Sequence, residues 1–466
     1  MAREPATRLQ LSGHRFLLRR TAHALVRGDA RMVDDPLRAQ STSFIGGCGL
    51  AVVAIAAFLV LAFVRPGAAL GSAPILISPK SGALYVQIDG VVHPVLNLAS
   101  ARLVTGAAAD PQPVGDTALA TARRGPLVGI PGAPARIGLP LALDESGWAV
   151  CDVTDPVGTV LVAGRPHPDF RQLRRGQSLL VVARDEGAAN TYLLFDGVRA
   201  HVDLRDIAAV RALRMEEVAP LPVSRALLDS VPEVAAVRAP SIAAAGTLGP
   251  PALDGLAVGT VIRVVRADGV EFYVVLTTGL QRVGQVAADL IRFTVPQPAG
   301  EPPEIAADTV AKVPFVHELP VGTLPERVQA VGAAVRCVGW DPRGSATKTT
   351  LYSADSLPGA AVTVELAQHD GAGPNLDHIS IPAGRSALVR ATGLVGDTAA
   401  GSLYLVDDLG VLYGVHDDDA AKRLGLPLRA VPAPWPMLRL LPAGPELSRD
   451  GASIVRDGLT AGRAAP

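Results

Sequence analysis

The chain has 466 residues, 49% of them hydrophobic, and its formal net charge is −1. That length is enough for two to four ordinary domains with sizeable cores. A nearly neutral charge argues against a nucleic-acid partner for the chain as a whole. Gly and Pro are abundant, at 47 and 39 residues, which is typical of a folded chain with many turns.

Residues 1–43 form a basic tail that contains one helix-like stretch. The tail carries eight arginines against four acidic residues. From His14 to Arg27, apolar residues alternate with arginines, and Gly28 follows as a C-cap signal. This amphipathic helix would serve as an interfacial helix, as a handle for a cytoplasmic partner, or as a simple juxtamembrane anchor. The sequence leaves these alternatives open.

The segment from Phe44 to Val64 predicts a single transmembrane helix, with Arg65 at its boundary. It has 21 residues and no charge. At ~1.5 Å per residue, a helix of that length covers about 31 Å, close to the hydrocarbon thickness of a bilayer. A buried core helix would show a polar stripe, and a cleaved signal peptide has a shorter apolar stretch nearer the chain start. Both alternatives are therefore disfavoured.

The distribution of charge predicts the orientation of this helix. The excess of arginine before the helix places the N-terminus in the cytoplasm by the positive-inside rule. Residues 66–466 carry 34 basic and 40 acidic residues, the expected sign for a soluble domain beside an anionic membrane. The sequence thus predicts a single-pass protein with a large domain on the far side.

Four similar segments recur in that domain. They are LYVQIDGVVHPV (84–95), TYLLFDGVRAHV (191–202), FYVVLTTGLQRV (272–283) and LYLVDDLGVLYGV (403–415). Each has a tyrosine followed five or six residues later by a glycine: Tyr85 and Gly90, Tyr192 and Gly197, Tyr273 and Gly279, Tyr404 and Gly410. Apolar alternation around D-G or T-G predicts a β-hairpin, because glycine tolerates the positive φ of the turn. Coincidence of common hairpin patterns is the alternative, and four matches in step disfavour it.

Each predicted hairpin is preceded by a strand candidate and followed by a helix-like run. The runs are Leu98–Val104, Leu204–Leu213, Gly284–Ile291 and Asp419–Leu424. A unit of strand, hairpin and helix is too small to be stable alone, so we expect it to pack on a sibling or on a central module. The sequence predicts an α+β, β-rich fold.

The cysteines suggest how the units are organised. Cys48 lies in the membrane helix, where it is a small packing residue. Cys151 and Cys337 both lie on the predicted far side, so a disulfide is expected, with two buried thiols as the alternative. The bond would join segments near 126–160 and 305–383 into one discontinuous central module.

We therefore expect a serial arrangement of modules. Pro-rich stretches at 296–303 and 432–445, and the Pro-punctuated 216–258, are interpreted as joints between them. The expected division is a tail (1–43), a transmembrane helix (44–64), repeat 1 (72–125), the first segment of the central module (126–160), repeat 2 (161–215), a linker (216–258), repeat 3 (259–300), the second segment of the central module (301–383), repeat 4 (384–430) and a C-terminal segment (431–466).

Motifs that carry catalysis or bind metal are scarce. No G-x-S-x-G, C-x-x-C or H-E-x-x-H pattern occurs. The residues His416 to Asp419 could offer metal ligands, but acidic residues before a helix complement its dipole, so capping is preferred. The segment from Gly339 to Lys348 has G-x-x-x-x-G spacing, yet Ser345 stands where a phosphate loop has lysine. We assign no catalytic, metal-ligating or cofactor-binding residue.

Several longer stretches occur in the order found in a known family. They are SGHRFLLRRTAHALVRGDARMVDDPLRAQS (12–41), SGALYVQIDGVVHPVLNLASARLVTG (81–106), VGIPGAP (128–134), WAVCDV (148–153), LYGV (412–415), AAKRLGL (420–426) and PWPMLRLLPAGPELSRDGA (434–452). On these stretches the sequence resembles EccB, a core membrane component of the type VII (ESX) secretion systems of mycobacteria.

The resemblance implies an inner-membrane protein whose elongated periplasmic domain has four repeats around a disulfide-closed central module. It implies assembly with the ATPase EccC, with EccD and with EccE, self-association in the periplasm, and association with a mycosin protease. Members of the family are often labelled ATPases, which would make ATP a cofactor. This sequence departs from a Walker pattern, so ATP is placed on no residue.

Three functional hypotheses follow. The first is a structural core subunit that anchors cytoplasmic-side subunits and builds a periplasmic vestibule for protein export. The alternative is an ATP-hydrolysing enzyme of the same system, as the family label suggests. A receptor or cell-wall-binding ectodomain is the third, and an aromatic content of 4% argues mildly against stacking on carbohydrate.

Overall fold

The computed structural model describes residues 7–29, 31, 36–64, 70–164, 169–184, 190–267, 269–298, 300–343, 349–357, 363–395 and 401–458. The chain divides into two compact units, Met1–Gly71 and Ser72–Pro466. Each unit is described by itself.

The first unit contains two helices, α1 (Arg8–Arg27) and α2 (Pro36–Val64). Helix α1 begins six residues before the predicted His14. Its start is set by a capping box in which the Thr7 backbone N–H donates to Gln10 Oε1 at 2.9 Å. It ends at Gly28, whose φ of 67° provides the expected left-handed C-cap.

Helix α2 contains the predicted transmembrane segment. Between Thr42 and Val60 it is long and apolar enough to cross a membrane, and none of those side chains is buried. The helix begins at Pro36, because proline is favoured in a first turn and the polar residues after it continue the helix. Phe44 therefore lies inside the helix, Val64 ends it, and Arg65 lies outside the described residues.

The second unit is built from short strands and helices. In chain order its first half contains β1 (Ile75–Ile77), β2 (Leu84–Ile88), β3 (Val91–Val95), α3 (Leu98–Thr105), β4 (Gln112–Pro113), α4 (Asp116–Thr121), β5 (Leu127–Val128), β6 (Leu139–Pro140), β7 (Trp148–Thr154), β8 (Val157–Ala163), β9 (Arg171–Gln172), β10 (Gln177–Ala183), β11 (Thr191–Phe195), β12 (Val198–Val202), α5 (Ile207–Ala212), β13 (Leu221–Val223), α6 (Arg225–Asp229) and β14 (Glu233–Val234).

The remaining elements continue this pattern. They are β15 (Val261–Arg266), β16 (Gly269–Val275), β17 (Leu280–Val283), α7 (Gln285–Thr294), α8 (Ala307–Val310), β18 (Gln329–Ala330), β19 (Val335–Trp340), β20 (Thr349–Ala354), β21 (Val364–Glu365), β22 (His378–Ser380), β23 (Arg385–Thr392), β24 (Leu403–Val406), β25 (Leu412–Val415), α9 (Asp418–Leu424), β26 (Val431–Pro434), α10 (Trp435–Leu438), α11 (Arg449–Ala452) and β27 (Val455–Arg456). Short 3₁₀ turns lie at Leu143–Glu145 and Pro251–Leu253.

Each of the four recurring segments forms an antiparallel hairpin: β2–β3, β11–β12, β16–β17 and β24–β25. A strand precedes each hairpin and pairs with it, and the helical runs expected after them form α3, α5, α7 and α9. The fold is therefore mixed α+β and rich in sheet.

After the helix, the chain returns to three of the four hairpin sheets, which the sequence did not predict. In three sheets a short strand pairs parallel with the first strand: β4 with β1, β13 with β10, and β26 with β23. All three returning strands contain proline and lie at sheet edges, where the missing N–H faces away from the ladder. Residues 431–434, expected at a joint, thus belong to the fourth hairpin's sheet.

A seven-stranded central sheet joins distant parts of the chain, in the order β21-β22-β8-β7-β19-β20-β9. Strands β7 and β19 pair antiparallel, with Cys151 directly opposite Cys337. Trp148 lies directly opposite Trp340 on the same two strands, and both tryptophans are fully buried. The central sheet thus combines chain from before the second hairpin with chain from after the third.

The hydrophobic cores show which sheets are joined. One large core includes Trp148 and Trp340 of the central sheet, Leu194 of the second hairpin and Val406 of the fourth. The third hairpin has separate cores, and α7 packs with the second sheet through Leu290. Helix α3 of the first sheet shares a core with the fourth hairpin. Hairpins two and four therefore lie next to the central sheet, and hairpins three and one attach through them.

Candidate functional site

The candidate site is the central sheet, because it carries the predicted disulfide and lies against two of the predicted turns. Cys151 and Cys337 form a disulfide with a Cα–Cα distance of 4.1 Å, and both residues are buried. The disulfide prediction is confirmed. Cys48 is a free, exposed cysteine in α2.

The turn of the second hairpin sits against the central sheet. Asp196 and Gly197 both have positive φ, 45° and 81°, as a two-residue hairpin turn requires. The Thr349 side chain donates to the Gly197 carbonyl at 2.7 Å. A Cβ added at Gly197 would lie 2.3 Å from the Thr349 carbonyl oxygen. Glycine is therefore required by both the turn and the close approach of β20.

The other three predicted turns differ in what they contact. A Cβ at Gly410 would lie 2.6 Å from Ile379 of β22, so the fourth turn also sits on the central sheet. A Cβ at Gly279 would lie 2.2 Å from the Pro314 carbonyl oxygen. Gly90 faces open space. Gly90, Gly197 and Gly410 have the predicted positive φ, whereas Gly279 does not, so only the close approach of Pro314 favours glycine there.

The four tyrosines also have different neighbours. Tyr192 packs edge-on against His201, with ring centroids 5.7 Å apart, and the Arg199 guanidinium lies 5.2 Å from its ring. Tyr273 donates its hydroxyl to Glu271 at 2.9 Å. Tyr192 also packs against the large core of the central sheet, and the Tyr273 ring lies 5.7 Å from that of Phe315.

Tyr404 and Tyr85 complete the set. Tyr404 lies across from Gly414, and Trp435 of α10 stacks on its ring at 5.5 Å. Because glycine leaves that face of the sheet uncovered, the tryptophan has room to pack there. Tyr85 pairs with Pro94. Tyr192 and Tyr404 both pack against the large core that includes Trp148, whereas Tyr273 packs in a core of the third hairpin.

A buried ionic cluster beside the disulfide was not predicted. Asp152 is fully buried next to Cys151 and lies 3.4 Å from Arg184 Nη2, at the end of β10. The other Asp152 carboxylate oxygen accepts the Ser224 backbone N–H, and Thr159 donates to the first oxygen at 3.0 Å. Asp152 thus ties the central sheet to two segments around the second hairpin.

Arg336 adds a second buried cation near this carboxylate. Its Nη1 donates to Thr154 Oγ1 at 3.1 Å, and its Nη2 donates to the Pro222 carbonyl at 3.2 Å. Burial lowers the pKa of Arg336, and Asp152 opposes that shift. An aspartate in the otherwise apolar strand WAVCDV is the sequence signal for this cluster, since a buried carboxylate needs partners.

A second buried carboxylate, Asp377, holds the loop before β22. Its Oδ2 accepts the Thr159 backbone N–H at 2.7 Å, and its Oδ1 accepts the N–H groups of Asp370 and Gly371 at 2.9 and 2.7 Å. His369 Nε2 lies 3.9 Å from the same oxygen. Three backbone donors make this carboxylate a structural anchor between the loop and β8.

The residues considered for metal or phosphate binding have structural roles. Asp417 is the N-cap of α9 and accepts the Ala420 N–H at 2.7 Å. His416 Nδ1 lies 2.7 Å from Glu446 Oε1, and this hydrogen bond raises the pKa of His416. Gly339 lies inside strand β19, and residues 344–348 lie outside the described residues. Within the described ranges, no group of three or more His, Cys, Asp or Glu could hold a metal ion.

Comparison with known proteins identifies the family. Residues 3–461 match the family model described as "Type VII secretion system ESX-1, transport TM domain B". The chain belongs to the EccB family. The resemblance drawn from its motifs is thereby confirmed.

Related EccB proteins are similar over nearly their whole length. One is the "ESX-3 secretion system ATPase EccB3" of Mycolicibacterium smegmatis, 33% identical over 97% of this chain and 91% of the relative. The protein of the same name from Mycobacterium tuberculosis is 35% identical over 97% of this chain and 90% of its own.

Solved structures agree. An EccB-like chain in the "intact ESX-5 inner membrane complex" has a TM-score of 0.73 and 30% identity, covering 100% of this chain and 98% of that one. The "EccB3 dimer from the ESX-3 core complex" has a TM-score of 0.71 and 31% identity, covering 82% of this chain and all of that one. This EccB-family chain is a structural core subunit of a type VII secretion membrane complex.

Proposed function

We propose that this subunit anchors cytoplasmic-side subunits through its tail and builds a periplasmic vestibule for protein export. The observation that carries the proposal is agreement with a chain of an ESX-5 inner membrane complex over the full length of this one. A framework role also suits the candidate site, whose buried charges and disulfide hold segments together.

The proposed partners are an EccC-type ATPase, EccD, EccE and a mycosin protease, with self-association in the periplasm. The solved EccB3 dimer supports the last of these. Native electrophoresis of tagged protein, gently extracted from its own membranes, followed by mass spectrometry of the band, tests the set. A very large complex that contains an EccC-type ATPase is expected. Migration as a single chain or small oligomer would contradict the scaffold role.

The proposed orientation has residues 1–43 in the cytoplasm and the second unit in the periplasm. The arginine excess before α2 supports it. In a Cys48→Ser background, single cysteines placed near residue 10 or after residue 70 would be treated with a membrane-impermeant reagent. Labelling from outside is expected only after residue 70. The reverse pattern would overturn the orientation.

We also propose that the second unit is an elongated domain of four hairpin–helix repeats around the disulfide-closed central sheet, divided as the sequence suggests. Similar strand orders in the hairpin sheets support the repeats. Limited proteolysis tests the division, because cleavage should concentrate between repeats. Cleavage within the central sheet before any other site would contradict it.

ATP hydrolysis is the alternative function, because the curated EccB3 relatives are named ATPases. A phosphate loop needs a flexible glycine turn before a helix, whereas Gly339 belongs to a paired strand. Hydrolysis by the purified full-length protein in detergent would be compared with a Lys348→Ala variant. Turnover that is lost in the variant would support the enzyme; equal background rates in both would disfavour it.

A further inference from the structure

Helix α1 carries its arginines on one side, where Leu9, Phe16 and Val26 also lie, and most of its leucines on the other. It carries five arginines and no acidic residue, and at about 100° per residue all five fall within an arc of about 140°. These are Arg8, Arg15, Arg19, Arg20 and Arg27. The apolar residues of the opposite half, which we call the leucine face, are Leu11, Leu17, Leu18, Ala22, Ala24 and Leu25.

The leucine face is uncovered. Leu11, Leu18 and Leu25 follow one another at intervals of seven residues and are 51%, 56% and 87% exposed. Within α1 only His23, on the arginine side, is buried. A row of exposed leucines is unfavourable in water, so this face needs an apolar environment.

The polar residues on the leucine face are compatible with leaving water. The Thr21 hydroxyl donates to the carbonyls of Leu17 and Leu18 at 3.1 and 2.9 Å. Gln10 takes part in the N-terminal capping box. His14 is the third polar residue of this half. Internal hydrogen bonds therefore reduce the penalty for burying this half.

The short connection keeps α1 near a bilayer. Residues 28–35 separate it from α2 and span at most about 28 Å when fully extended. Because α2 is long and apolar enough to cross a membrane, this short connection raises the effective concentration of α1 at that membrane.

We propose that α1 lies on the surface of that bilayer, with its leucine face at the headgroup–acyl boundary and its arginines on the phosphates of anionic phospholipids. An acidic protein would use the arginines and leave the leucines exposed, whereas an apolar groove would do the opposite. An anionic bilayer satisfies both faces, and guanidinium groups bind phosphate oxygens well. The proposal extends the proposed function by assigning a lipid ligand to the tail, and it rests on the membrane anchoring of that tail.

The test uses full-length protein in nanodiscs, with Cys48→Ser and an environment-sensitive fluorophore on one introduced cysteine. Leu18→Cys reports on the leucine face, and Thr7→Cys, just outside the helix, is the matched control. Discs contain phosphatidylcholine alone or mixed with phosphatidylglycerol. At position 18, phosphatidylglycerol should blue-shift the emission and reduce quenching by aqueous iodide several-fold; position 7 should change little. High salt should weaken the effect.

Charge variants separate lipid binding from helix packing. Replacing Arg15, Arg19 and Arg20 together with Gln should abolish the lipid-dependent protection, and replacing them with Lys should retain most of it. Equal quenching at position 18 in both lipids would overturn the proposal. Protection that appears only when an acidic partner protein is added would also overturn it in favour of a protein contact. Because this test uses no other subunit, its failure would not contradict the proposed scaffold role.

Discussion

The first and second hairpins both turn through an Asp-Gly pair, yet only the second turn contacts the central sheet. Asp89–Gly90 and Asp196–Gly197 have nearly the same positive φ angles. Gly90 faces open space, whereas Gly197 abuts the Thr349 backbone. The comparison teaches that local sequence determines the turn, while the surrounding fold determines how much a glycine matters.

Removing the disulfide should have the largest effect, because the bond closes a long loop and so restricts the unfolded chain. The bond closes a separation of 186 residues. In a Cys151→Ser/Cys337→Ser variant, we expect the free energy of unfolding to fall by about 5 kcal/mol on the chain-entropy relation. Denaturant titration of the full chain in detergent measures it. A Cys48→Ser variant is the control, and equal stability of the two would refute the prediction.

The second largest loss of stability should come from the buried charge cluster around Asp152. Asp152→Ala leaves Arg184 and Arg336 buried without their carboxylate, and breaking such a pair should destabilise by about 4 kcal/mol. Asp110→Ala provides the contrast, because its contact with Arg102 involves a carboxylate that is 88% exposed. That variant should lose less than about 1 kcal/mol. If both variants lose a similar free energy of unfolding, burial of the ion pair does not determine its contribution to stability.

The turn glycines test the comparison directly. Gly197→Ala places a methyl group against the Thr349 carbonyl in addition to straining φ, so we expect a loss of about 3 kcal/mol. Gly90→Ala meets only the backbone strain, about 1 kcal/mol. Denaturant midpoints measured side by side give the difference. Equal midpoints for the two variants would mean that the second turn does not pack closely against Thr349.

The smallest effect concerns an exposed contact of the fourth hairpin. Glu446 raises the pKa of His416 above its ordinary value of 6.5. The stabilisation is therefore fully present below that ordinary value and is lost as pH rises through the raised pKa. Titration of the His416 ring by NMR should give a lower pKa in a Glu446→Gln variant. An unchanged pKa would mean that the two side chains do not interact in solution.

Local features were predictable from the sequence. The hairpins follow from alternating apolar residues around a glycine turn, and their helices from the apolar runs that come next. The disulfide pairing followed because Cys151 and Cys337 are the two cysteines outside the apolar helix. Membership in the EccB family was predictable from long, ordered motifs.

Features that depend on distant regions of the chain were not predictable. Strands β4, β13 and β26 are two to four residues long and contain proline, so only the neighbouring strand defines them. Asp152 is acceptable in a strand interior because Arg184 and Ser224 reach it from other segments. Trp435 stacks on Tyr404 across a gap in sequence that no local pattern links. Each depends on tertiary context.

Because the central sheet combines distant parts of the chain, its strands are synthesised at different times. Strands β7 and β8 emerge well before β19, and Cys151 precedes Cys337 by 186 residues. At typical rates of chain elongation, the first thiol waits roughly 10–40 s for its partner. During that interval the second and third hairpins are completed while half of the sheet that will support them is absent. A nascent chain of this protein therefore passes through a stage in which strand β7 lacks its partner β19 and Cys151 is still a free thiol.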